Sequence, residues 1–139
     1  MSTSGTDIVR QTYAALERGD VSALLELCSP EITVYQSEIV PWGGHRCGHD
    51  GLLTFLQTVM SHLDSKIETG DLYAAGDRII QVGRTQGTVR ATGEPFDAAE
   101  THVWQVRDDK IVAFEAYVDT DELSRALIAR RPDNDTQNS

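Results

Sequence analysis

The spacing of apolar residues changes character along the chain. After a small, polar start over residues 1–5 that is expected to fray, Ile8, Val9, Tyr13 and Leu16 recur at intervals of three to four, which predicts a helix closed by Gly19. Asp20 is placed to cap a second, short helix with Val21, Leu24, Leu25 and Cys28 on one side, stopped by Ser29-Pro30. Ile32 to Ser37 alternates and is rich in β-formers, so it reads as a strand. The turn formers Pro41, Gly43, Gly44 and Gly48 mark residues 38–48 as a loop. A third helix follows, with a wide stripe of Leu52, Leu53, Leu56, Val59, Met60 and Leu63.

From Ser65 the period switches to two. Strands are predicted over 65–75, 77–91, 95–107 and 110–119, broken at Gly76-Asp77, Thr92-Gly93 and Asp108-Asp109. These breaks are hairpin signals, so the strands should run antiparallel. Asp121 to Arg130 suits a last short helix, and residues 131–139 read as a disordered tail. Helices followed by a run of long strands is the α+β pattern. A meander that curls around the helices would leave a cone-shaped cavity. With no repeat or linker, residues 1–139 are expected to form one domain, ordered over about 6–130.

Composition narrows the partners. The formal net charge of −10 disfavours nucleic acid and anionic membrane surfaces, both of which select for basic patches. No apolar run approaches the ~18–20 residues needed to cross a bilayer. The start lacks a basic region followed by an apolar stretch, and Cys28 and Cys47 are the only cysteines, which together predict a cytoplasmic protein with reduced thiols.

The candidate chemistry lies on strand 95–107. Its even positions, Phe96, Ala98, Glu100, His102, Trp104 and Val106, should face the core. That puts two ionisable groups among apolar neighbours, where each needs a partner. On the next strand Val112, Phe114, Ala116 and Val118 form the apolar face, with Glu115 and Tyr117 opposite. If these strands pair, Glu100 and His102 look into a pocket walled by Phe114 and Ala116. Histidine titrates near neutrality and a desolvated glutamate is tunable, so the pair suits acid–base work. The alternative is a satisfied core histidine with Glu100 tilted to solvent. Tyr13, Gln36, Trp42, Phe55, Trp104, Phe114 and Ala116 are the expected ligand-lining residues. His45, Cys47, His49 and Asp50 crowd one short loop, but zinc sites draw four ligands from separated pairs, so no metal is expected. Arg84 and Gln86 lie on a strand with two mixed faces, one of which suits a subunit interface, while Gly83 and Gly87 leave room on the other. There is no phosphate-binding glycine loop, Ser-His-Asp order or paired-cysteine motif.

Several segments taken in order carry a family resemblance. They are YAALERGD from Tyr13 to Asp20, ALLEL from Ala23 to Leu27, Pro41-Trp42-Gly43-Gly44, GHDG from Gly48 to Gly51, DLYAAGDR from Asp71 to Arg78 and KIVAFEAYVDT from Lys110 to Thr120. From about Thr6 to Leu127 the chain resembles the nuclear-transport-factor-2-like superfamily, in particular its SnoaL-like members. The resemblance implies a cone-shaped α+β barrel, with three N-terminal helices packed in a curved, mostly antiparallel sheet, and a homodimer formed through the outer sheet face. It includes ketosteroid isomerases, polyketide cyclases and limonene-type epoxide hydrolases, besides non-catalytic members. The isomerase pattern places its aspartate base where this chain has Gln36, its second aspartate near His102 and its tyrosine near Thr12 or Tyr13. The epoxide hydrolase arginine and two aspartates correspond to Thr85, Gly87 and Ala116. Of the cyclases' late-strand residues only His102 has a counterpart. Two functions follow as expectations. One is a cofactor-independent acid–base isomerase, cyclase or lyase, less favourably a hydrolase, acting on a small hydrophobic molecule through His102 and Glu100. The other is a non-catalytic ligand-binding or assembly module of the same fold.

Overall fold

A computed structural model describes residues 4–129. Helix α1 spans Gly5–Glu17, its first turn capped by the Ser4 hydroxyl accepting from the Asp7 N–H. Its buried face is Ile8, Val9, Thr12 and Ala15, and Thr12 meets the burial requirement by donating to the Ile8 carbonyl at 2.8 Å. Gly19 then adopts φ 67°, the left-handed conformation that ends helices at low cost to glycine alone. Asp20 caps α2, Val21–Leu27, as its spacing predicts. Cys28 is not helical. It opens strand β1, Cys28–Gln36, and Pro30 is accommodated inside that strand at the irregular stretch between Cys28 and Thr33.

The predicted loop 38–48 contains a fourth-order detail that its glycines hid. Gly44–Cys47 forms a short strand, β2, antiparallel to β1. Helix α3 begins at once, at Gly48, and runs to His62. Leu63 belongs to the next strand, because the backbone turns extended there. Strands β3 (Leu63–Ala75), β4 (Arg78–Val89), β5 (Pro95–Arg107) and β6 (Lys110–Val118) follow as an antiparallel meander, and α4 occupies Thr120–Ile128. The Asp108-Asp109 turn holds both residues at positive φ, 51° and 61°, the geometry that matches strand twist in two-residue hairpins. The predicted tail at 131–139 lies outside the described residues.

The six strands lie in the order β2-β1-β6-β5-β4-β3, with β1 and β6 parallel and all other neighbours antiparallel. The sheet is therefore α+β and mixed. It is not a closed barrel: β2 and β3 are free edges. A pleated strand exposes alternate residues, and β4 settles its two mixed faces by that rule. Ile79, Gln81, Thr85 and Val89 are buried, while Arg84 and Gln86 lie outward with Val82. On β6 one expectation fails. A bulge pairs Gln105 with Ala113 and Val106 with Ile111, skipping Val112, so Ile111 takes the core position and Val112 is only half-buried. The inner sheet face and the helices share one core that includes Val9, Ile32, Val34, Trp42, Phe55, Trp104, Ile111 and Leu123.

Candidate functional site

Strand β5 sets the site because three consecutive inward positions carry functional side chains. Across the ladder, Glu100 faces Val118, His102 faces Ala116 and Trp104 faces Phe114. The residues of β6 supply apolar walls to the polar groups of β5. His102 and Glu100 side chains are 4 % and 10 % exposed, so both are removed from bulk water. Their Nε2 and Oε1 atoms lie 3.1 Å apart. The approach is off the line of a hydrogen bond, and Glu100 Oε1 is left buried without a partner.

The rear of the imidazole is fully engaged. Nδ1 of His102 lies 2.6 Å from the Tyr13 hydroxyl, which reaches across from α1. That hydroxyl accepts from Trp104 Nε1–H at 2.9 Å. An indole N–H only donates, so the phenolic proton is free to go to Nδ1. Gln81, on the neighbouring β4, adds a second constraint. Its Oε1 accepts from the Gly70 N–H at 3.0 Å, which turns its amide nitrogen toward Nδ1, 3.4 Å away. Two donors converge on Nδ1, which must therefore accept. In the neutral ring the proton is then on Nε2, on the side of Glu100. Burial pushes the Tyr13 phenol well above its ordinary pKa, with smaller opposing effects from its Trp104 and Gln81 hydrogen bonds, so it remains a donor.

The Gly70 N–H is available to Gln81 because β3 bulges. The register shifts between Glu68 and Asp71, and a Cβ on Gly83 would run into Gln81 Oε1 and the Glu68 carbonyl. Glycine at 83 is what allows this close approach. His102 is further packed between rings: Tyr13 stacks at 5.8 Å and Phe114 approaches edge-on at 5.0 Å.

In front of these groups lies a cavity of about 110 Å³. Of the residues expected to line it, Gln36, Trp42, Phe55, Trp104, Phe114 and Ala116 do so, together with Glu100 and His102. Tyr13 does not; it stands behind His102. Gln36 is spoken for at its oxygen, since Oε1 accepts from Trp42 Nε1 at 2.9 Å. That bond also fixes Trp42, which is buried as a wall rather than free to swing. Ser65, Ile67 and Thr85 add to the lining from β3 and β4. Ile67 is 40 % exposed, so the cavity opens past the edge strand β3. Gln81 and Thr85 were missed as site residues. The available signal was their phase with Ile79 and Val89, which the outward-facing Val82 and the mixed glycines obscured.

The histidine-rich loop does not converge. His45 packs at a tilt against Tyr35, with ring centroids 4.6 Å apart, whereas His49 contacts the Cys28 carbonyl at 3.0 Å. No group of three or more His, Cys, Asp or Glu side chains among the described residues is arranged to hold a metal. No helix among them is long and apolar enough to cross a membrane.

Comparisons with known proteins agree with this architecture. The SnoaL-like domain model matches residues 9–114. An NTF2-like protein from Burkholderia thailandensis is 31 % identical, with a TM-score of 0.85 over 91 % of this chain and 99 % of its own. An NTF2-like protein of unknown function from Burkholderia pseudomallei is 26 % identical, with a TM-score of 0.83 over 90 % and 98 %. IdmH of Streptomyces antibioticus, provisionally assigned as a polyketide cyclase, shares the fold at 24 % identity, with a TM-score of 0.73 over 91 % and 100 %. No curated protein matches significantly. On the strength of a family model spanning most of its length, the chain belongs to the SnoaL-like domain family within the NTF2-like superfamily.

Proposed function

We propose that the protein binds a small hydrophobic molecule in the cavity and moves a proton on it, as a cofactor-independent isomerase or cyclase. The observation that carries this reading is the pairing of His102 Nε2 with Glu100 Oε1, 3.1 Å apart, both nine-tenths or more buried and both lining an otherwise largely apolar cavity. A carbonyl oxygen of the ligand would accept from His102 Nε2–H, which polarises the carbonyl. Glu100 would take the proton from the adjacent carbon and return it at another position, so that nothing is gained or lost overall. Tyr13, Gln81 and Trp104 orient the imidazole. Their role is positioning.

The reaction class is testable without knowing the product. Small hydrophobic ketones incubated with the protein in D₂O should exchange their α-protons, as read by NMR. His102→Gln should slow that exchange by ~10²–10⁴-fold. Absence of exchange in every compound that demonstrably binds would leave the second reading, a non-catalytic binding module. Buried and fully partnered on its Nδ1 side, His102 also suits that structural role.

The same proposal includes one domain over the chain, a cytoplasmic setting and a homodimer. Support for the dimer comes from the outer sheet face, where Tyr73, Ile80 and Val103 fall in register and Val82 and Tyr117 lie alongside. Tyr73, Val82 and Tyr117 are 54 %, 48 % and 47 % exposed. Contiguous apolar surface of this kind favours a protein partner, and a second copy brings a matching face.

A further inference from the structure

The Gln36–Trp42 hydrogen bond does more than brace a wall of the cavity. An indole N–H can only donate, so the atom of the Gln36 amide that meets Trp42 Nε1 is the oxygen, at 2.9 Å. The amide nitrogen is thereby turned the other way, and it has no hydrogen-bond partner among the described residues. Gln36 is only 5 % exposed. Among the described residues, the fully enclosed side-chain polar atoms without a partner are Arg46 Nε and Glu100 Oε1. Gln36 Nε2 is not one of them, so it keeps open surface, and the space that Gln36 lines is the cavity. A buried N–H group facing a largely apolar space calls for an acceptor.

Strand register places this donor across from His102. Gln36 pairs with Ala116 between β1 and β6, and Ala116 pairs with His102 between β6 and β5. The three residues form one row over the inner face of the sheet, and all three are buried and line the cavity. Two strand spacings separate the outer two by roughly 10 Å at Cα. Between them rises only the methyl group of Ala116. The row is an amide, a low floor and an imidazole. A ring lying over Ala116 presents one edge to Gln36 and the opposite edge to His102. One ring is also the scale of the space: the cavity is about 110 Å³, and an apolar cavity of roughly 150 Å³ accepts benzene in another protein.

Resting on the proposed function, in which a ligand carbonyl meets His102, we infer that the ligand carries a second, neutral carbonyl oxygen on the far side of its ring, and that Gln36 selects for it by donating from Nε2. A carboxylate there would bring a charge that one neutral amide cannot offset in a largely apolar space. A hydroxyl would have to place its own proton, and Gln36 Oε1 already serves Trp42. An amide neither takes nor gives up a proton at ordinary pH, so Gln36 is a specificity-determining residue and the acid–base work stays with His102 and Glu100.

1,4-Cyclohexanedione and cyclohexanone differ in one carbonyl at the opposite edge of a similar ring. Binding of each to the intact protein is read by NMR titration. The dione should bind about tenfold more tightly, because only it pairs both donors. The Gln36 side-chain N–H resonances, identified by their loss in Gln36→Glu, should move downfield as the dione saturates the protein. At pH 8 Gln36→Glu keeps an acceptor for Trp42 Nε1–H and removes the donor, so the preference for the dione should vanish. Cyclohexanone, which still has His102, checks that the variant keeps its fold and cavity. Should Gln36→Glu not fold, Gln36→Met serves, with the same expected loss of preference. Equal binding of dione and cyclohexanone overturns the second carbonyl and leaves the proposed function standing. A preference that survives in the Gln36 variants, or Gln36 N–H resonances that stay in place, overturns the assignment to Gln36. If neither ketone binds, the ligand cavity of the proposed function is refuted, and the inference with it.

Discussion

At the scale of single residues, the site depends on groups that are chemically quiet. Tyr13 holds its proton because burial disfavours the phenolate by more than the hydrogen bond from Trp104 Nε1–H favours it. Cys28 behaves alike: burial pushes its thiol up from an ordinary 9.0 to about 11, offset only in part by Lys110. Its stabilising contribution has a definite sign. The folded state disfavours the thiolate, so stability is complete below the unfolded thiol's pKa and declines as pH rises through about 11. Urea unfolding at pH 8 and pH 10.5 should show a loss of stability, and Cys28→Ala should reduce that loss. An unchanged slope in the variant would mean that the thiol stays neutral in both states. Of these residues, Glu100, His102 and Trp104 were legible in the sequence from strand alternation alone. Tyr13 was expected at the ligand, but it stands one layer back, because the helix places its hydroxyl on Nδ1 rather than in the cavity.

At the scale of elements, strand β5 was the most legible part of the chain and β4 the least. Pro95–Arg107 alternates cleanly and its predicted bounds agree with the structure. In β4 the inward phase carries Gln81, Gly83, Thr85 and Gly87, so polarity no longer distinguishes the faces. The two bulges were invisible for a related reason: an extra residue in a strand shifts phase without changing composition. Short β2 was concealed by its glycines, and its pairing with β1 is a tertiary effect. The β3 bulge has a mechanical role, since it presents the Gly70 N–H to Gln81. Gly83→Ala tests that role. Its Cβ has no space beside the Gln81 side chain and the Glu68 carbonyl. The substitution should cost about 1–3 kcal/mol in denaturant unfolding. It should also shift the His102 ring resonances, which a purely local strand defect would leave in place.

At the scale of the whole molecule, a sheet with one face under helices and one face bare leaves two questions that the sequence framed and could not answer. The fold class was readable because helix and strand periods change at Ser65 and turn residues mark each hairpin, and the family from the resemblance carried by segments such as Tyr13–Asp20 and Lys110–Thr120. Closure was not readable. Whether a meander returns to its first strand depends on accumulated twist, and here β2 and β3 remain open edges. The bare face bears on assembly. Light scattering should give twice the monomer mass, and Val82→Asp combined with Tyr73→Asp should return it to 15.3 kDa while retaining the far-UV spectrum. A wild-type monomer at micromolar concentration would remove the dimer from the account.

The central claim is that His102 is held from behind so that its Nε2–H works at the front. Nitrogen-15 NMR of the imidazoles at pH 8, where an ordinary histidine is neutral, reads the tautomer directly. The His102 signals are identified by their loss in His102→Gln. The account predicts an unprotonated Nδ1 and a protonated Nε2. A protonated Nδ1 with a bare Nε2 would contradict it, since the cavity would then face a lone pair and the proposed catalysis could not operate as described.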